Sequence, residues 1–151
     1  MHRRRFLLTG TALLPVLVIN AESQGTTLLV HLTYTGSGTV DRSHKIYVVL
    51  WDSPDFRKQS GMQPLAVMPV TSKSGVARFD GVQKNPVYVS VAYDPRGAWD
   101  AKSEPPTGAS LGLYAKERGV PAPVQLQPGK PNTISITLDD SFKMGTMSTQ
   151  Q

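Results

Sequence analysis

The chain of 151 residues carries 16 Lys+Arg against 11 Asp+Glu, a formal net charge of +5, and contains no Cys. The missing cysteine excludes disulfide frameworks, thiolate nucleophiles, Cys-ligated zinc and iron–sulfur clusters. The length fits one domain with short appendages, and the 13 Gly and 12 Pro are spread without a period.

The charge is unevenly placed. Arg3, Arg4 and Arg5 open the chain, and no acid occurs before Glu22. Behind them an apolar run spans 6–19, broken only by Thr9, Gly10, Thr11 and Pro15. As a helix it would reach about 21 Å at 1.5 Å per residue, short of the roughly 30 Å hydrocarbon core. Residues 1–21 are therefore read as a cleavable signal peptide, cut after Ala21, and not as a membrane anchor. The segment His2-Arg3-Arg4-Arg5-Phe6-Leu7-Leu8 also resembles a twin-arginine signal, which implies bacterial export in the folded state. An ordinary secretory n-region is the alternative. Without its three arginines the mature chain has 13 cations and 11 anions, a net +2. That balance gives no basic stripe for nucleic acid and no reason for membrane binding after cleavage. The expected location is exported, periplasmic or extracellular.

After the leader, strand patterns recur between Gly, Pro, Asn and Asp punctuation, with no helical periodicity. Leu28, Val30, Leu32 and Tyr34 alternate with His31 and Thr33, which gives a strand with one core face. The run Ile46-Tyr47-Val48-Val49-Leu50-Trp51 is apolar on both faces, as in a central strand, so Trp51 is read as packing. Residues 56–64 form a polar loop with room for a short helical turn. The segment 65–70 is an edge strand, bracketed by prolines. Lys73-Ser74-Gly75 and Asp80-Gly81 are read as turns flanking 76–79, and 87–93 as a long strand. Residues 94–112 are a loop of about nineteen residues, far beyond the usual four to six. The segments 123–126 and 134–138 are expected to close the domain across the turn at 127–130, and 143–151 to be a disordered tail. The reading is an all-β chain with a single Ig-like β-sandwich of about seven strands over 22–142.

The stretch Gly75-Val76-Ala77-Arg78-Phe79-Asp80-Gly81-Val82, followed by Val87-Tyr88-Val89-Ser90-Val91-Ala92-Tyr93, resembles the core of prealbumin-like (transthyretin-like) sandwiches. These include the carboxypeptidase regulatory-like domains and small exported bacterial domains of unknown function. The resemblance implies that Val87, Val89 and Val91 face the core. It does not imply an activity. The hydroxyisourate hydrolases of the transthyretin family end in Tyr-Arg-Gly-Ser, where this chain ends in Met147-Ser148-Thr149-Gln150-Gln151. The intradiol dioxygenases bind iron with a His-x-His pair, which His31 and His44 do not form.

The long loop holds the candidate site. Asp94, Asp100 and Glu104 supply the oxygen type that calcium takes, but Arg96 and Ala98 stand where further ligands are needed. The loop is therefore read as solvated, with its Asp residues forming turns, and no metal or other cofactor is expected. Trp99, with Tyr93 and Tyr114, forms a candidate aromatic platform for sugar rings or partner side chains, and Asp94, Asp100 and Glu104 are its polar contacts. Elsewhere, Asp41-Arg42-Ser43-His44 has the residue types of nucleophilic catalysis without the Gly-x-Ser-x-Gly elbow, and is read as a polar turn. Asp139-Asp140 point in opposite directions if the strand continues, and are read as ending it. The expectation is a non-enzymatic binding or accessory domain of the bacterial cell envelope, its partner an envelope protein or a glycan. The alternative is a small metal-dependent, hydrolase-like enzyme built on His31, His44 and nearby carboxylates.

Overall fold

A computed structural model describes residues 25–145 of the chain. The expected leader at 1–21 and residues 146–151 of the expected tail lie outside the described residues. The described chain is all-β, a sandwich of two sheets joined to a short ribbon.

Strand β1 (Thr26–Tyr34) buries Leu28, Val30, Leu32 and Tyr34 and exposes His31 and Thr33, as the alternation predicts. It is the middle strand of a three-stranded sheet. β4 (Ser74–Val82) runs antiparallel on one side and β9 (Asn132–Leu138) parallel on the other. The second sheet has the order β3 (Ala66–Val70), β2 (Ile46–Trp51), β5 (Tyr88–Tyr93) and β6 (Ser110–Leu113), all antiparallel. β2 is central and apolar on both faces, and β3, with Pro69, is an edge. The core lies between the sheets, where Leu28, Val30, Phe79, Val87, Val89 and Val91 are buried. Burying each such side chain contributes about 1.5–3 kcal/mol. Trp51 packs as expected, its ring stacked on Phe56 at 5.0 Å and its Nε1 donating to Ser90 Oγ. A single 3-10 turn, Pro54–Arg57, follows it and is capped by Ser53, whose Oγ accepts from the Asp55 amide.

Four expectations need correction. The turns expected on either side of 76–79 are not there: β4 already includes Ser74 and Gly75, paired with Thr33 and Leu32, and continues through Asp80-Gly81, where the register slips between Thr26↔Val82 and Leu28↔Phe79. Gly81 has φ +66°, so its turn signal marks a β-bulge. The 94–112 loop is shorter, because 110–113 forms β6, a strand too short and too glycine-interrupted to show a period. The segment 123–126 is not a ladder strand. It touches the second sheet through one bridge, Val87↔Val124, while Asn85 bonds both backbone groups of Leu126. β9 therefore pairs with β1 and not across the 127–130 turn. Between β6 and that segment, β7 (Ala115–Glu117) and β8 (Val120–Pro121) make a small hairpin that has no counterpart in the sequence reading.

Residues 143–145, the start of the expected tail, are described. Lys143 bridges Ser110, and Met144 exchanges backbone hydrogen bonds with Gly108 and Ala109. This segment therefore runs along the outer side of β6.

Candidate functional site

In the β2–β5 ladder Ile46 faces Tyr93, so the loop entering β2 and the loop leaving β5 emerge side by side. The first residue of the second loop, Asp94, organises it. Asp94 is only 2% exposed. Its Oδ1 accepts from the Arg96 amide at 3.1 Å and from Arg96 Nε at 3.2 Å, and its Oδ2 accepts from the Ala98 amide at 3.3 Å. Burial by itself pushes this carboxyl up, but the two amides and the guanidinium outweigh it and hold it below the ordinary carboxylate range. Arg96 then reaches across the loop, its Nη2 donating to the Thr107 carbonyl. Gly97 has φ +70°, and a Cβ there would stand 2.4 Å from the Ser43 carbonyl oxygen. Only glycine lets the two loops come this close.

Where they meet, a cleft of about 350 Å³ opens. Arg42, Lys45 and Tyr47 line one wall; Trp99 and Asp100 line the other, and Asp94 also reaches it. The Trp99 ring stands at 81° to the Tyr47 ring with centroids 5.2 Å apart, and its Nε1 donates to the Ser103 carbonyl at 3.1 Å. These two contacts orient the indole, which is half-buried. Asp100 accepts from the Lys102 amide at 3.0 Å, with the Lys102 ammonium 3.7 Å away. A rigid aromatic surface among charged and hydroxyl side chains can stack a flat ligand face and orient its polar groups.

No family model, curated protein or solved structure matches this chain.

The cleft brings together only part of the expected set. Trp99, Asp94 and Asp100 share the cleft, although Asp94 has its oxygens committed to the loop. Tyr93 is a core residue: its ring packs on Tyr34 at 4.9 Å and its hydroxyl donates to the Thr39 carbonyl at 2.5 Å. Tyr114 is half-buried against the core and continues the backbone pairing from β6, its amide bonding to Val89 and its carbonyl to Ala122. Glu104 is exposed and does not line the cleft. The sequence reading missed Arg42, Lys45 and Tyr47, because they join the site only through the β2–β5 register.

The two histidines of the catalytic alternative lie at different sheets. His31 lies on β1 in one sheet, whereas His44 leads into β2 in the other, so their strands do not pair. His44 Nδ1 lies 2.9 Å from Asp41 Oδ1, which also accepts the Ser43 and His44 amides. The bond to His44, with the Ser43 amide, holds the Asp41 carboxyl low. Among the described residues, no group of three or more His, Cys, Asp or Glu is placed to hold a metal. No helix among them is long and apolar enough to cross a membrane.

A second polar cluster lies apart from the cleft. Asp140 Oδ1 accepts from Tyr34 Oη at 2.8 Å and from Ser110 Oγ at 2.7 Å, while its Oδ2 accepts the Ser37 amide at 3.2 Å. Asp139 instead accepts the Ser141 amide and is exposed. The Asp140 cluster ties both sheets to the loop at 36–38 and is structural.

Proposed function

We propose that this chain is a non-enzymatic binding or accessory domain of the bacterial cell envelope. It works through the cleft between the loop entering β2 and the loop leaving β5. Its sandwich is read as prealbumin-like. The support for that class is the two-sheet architecture together with the burial of Ala77, Phe79, Val87, Val89 and Val91, the positions that carry the resemblance. Export to the periplasm or beyond rests on the sequence of residues 1–21.

One observation carries the binding role: an indole packed on Tyr47 and hydrogen-bonded to Ser103 in the lining of an open cleft. A side chain ordered before the ligand arrives loses little entropy on binding, which favours affinity. The partner is an envelope protein or a glycan.

Site-specific photo-cross-linking in the producing cell tests this reading. A photoreactive residue at Ser43, in the cleft, is expected to capture an envelope component. The same group at Ser135, on the outer face of β9, is expected to capture nothing. Adducts from Ser135 alone, or from neither position, overturn the proposal.

A further inference from the structure

We infer that the cleft takes an acidic saccharide, a sugar ring bearing a carboxylate or a sulfate. This inference rests on the cleft being the binding site. The two acids that line the cleft are already matched: Asp94 by Arg96 at 3.2 Å and Asp100 by Lys102 at 3.7 Å. Arg42 and Lys45 line the same cleft and have no hydrogen bond or ion pair among the described residues. The nearest other acid in that loop, Asp41, turns its Oδ1 to the Ser43 and His44 amides and the His44 ring. The cleft thus offers two unmatched cations to a ligand anion, and charge-assisted hydrogen bonds are the strong ones.

The rest of the lining selects a sugar over a plain acidic peptide. Trp99 lines the cleft and is half-exposed, so its indole is available to pack against the C–H groups of a pyranose. Asp100 accepts from ring hydroxyls, and Ser43 both donates and accepts. A volume of about 350 Å³ suits a short saccharide segment better than a folded partner. In the bound state Arg42 and Lys45 hold the anionic group while the ring lies against the indole.

Calorimetric titration of the mature protein tests this with four probes: trigalacturonate, a sulfated chondroitin disaccharide, neutral maltotriose and hexaglutamate. The two acidic saccharides separate carboxylate from sulfate recognition. At least one is expected to bind, more weakly as salt rises, with maltotriose and hexaglutamate each weaker by about tenfold or more. Arg42→Ala and Lys45→Ala are each expected to weaken that binding about tenfold with the thermal midpoint retained. Equal binding of maltotriose or hexaglutamate, indifference to both substitutions, or no binding of either acidic saccharide overturns the inference. If cross-linking from Ser43 persists in that case, the cleft remains the site and only its ligand class is wrong. If cross-linking fails as well, the binding role itself falls.

Discussion

Replacing Asp140 with Ala is expected to lower the unfolding free energy by about 3 kcal/mol, roughly 10 °C in thermal midpoint. The carboxylate accepts three hydrogen bonds, from Tyr34, Ser110 and the Ser37 amide. Tyr34 and Ser110 are buried, so their hydroxyls lose a charged acceptor that water cannot easily replace. The Tyr34 hydroxyl also accepts the Gly38 amide, so the loss spreads to the loop at 36–38. The pH dependence gives an independent signature. Burial raises the Asp140 carboxyl, but the bonds from Ser110, Tyr34 and Ser37 outweigh it and leave it below the ordinary range. A depressed folded value means that this stabilisation is full above the unfolded pKa, about 3.9, and is lost as pH falls through the folded value. At the alkaline end, burial and the Asp140 bond push Tyr34 up to about 12. Its stabilisation is full below the unfolded value of about 10 and is lost as pH climbs toward 12. Denaturant midpoints across pH are expected to fall at both extremes in the wild type, and to fall less in Asp140→Ala. An unchanged acid limb would show that Asp140 does not carry these bonds.

Asp94→Ala acts on the site more than on the fold. It removes the acceptor for the Arg96 and Ala98 amides and the partner of the Arg96 guanidinium, at a cost of about 2 kcal/mol. Arg96 is well exposed and can be rehydrated, so the ion pair itself adds little to that figure. The larger consequence is geometric. Those bonds set the path of the chain from β5 to Trp99, so their loss releases the indole from Tyr47. Hydrogen exchange at the Ala98 amide is expected to accelerate strongly while the Val89 and Val91 amides stay protected. Capture by the cleft is expected to disappear. Asp100→Ala is the contrast: its carboxyl is exposed and bonds only to Lys102, so the loop conformation is expected to persist. Because the Asp94 carboxyl is also held low, loop protection is expected to fall as pH drops below about 4.

How far the sequence announces this molecule depends on the range over which each residue finds its partners. β1 was legible because alternation is local: Leu28, Val30, Leu32 and Tyr34 set a face whichever strands flank them. Its neighbours were not legible, since β9 lies about a hundred positions away and pairs in parallel. Asp80-Gly81 misled for a physical reason, because a positive φ serves a bulge as well as a turn. The site divides the same way. Trp99 and the aspartates stood out in one unusually long loop, whereas Arg42, Lys45 and Tyr47 look ordinary until the Ile46↔Tyr93 register brings them alongside. Tyr93 and Tyr114 lie close to Trp99 in sequence, but strand alternation and pairing send them elsewhere. In the sequence Asp140 only ends a strand, because two of its three donors lie more than a hundred residues upstream.

Trp99→Ala separates a binding role for the indole from mere packing. Capture of the envelope component and the thermal midpoint are measured on the same preparation. Losing the contact with Tyr47 and the exposed hydrogen bond to Ser103 costs about 1–2 kcal/mol, a shift of several degrees. The predicted result is loss of capture with the midpoint within that range of the wild type. A large fall in midpoint with capture intact would show that Trp99 only packs, and would contradict the assignment of the cleft as the binding site.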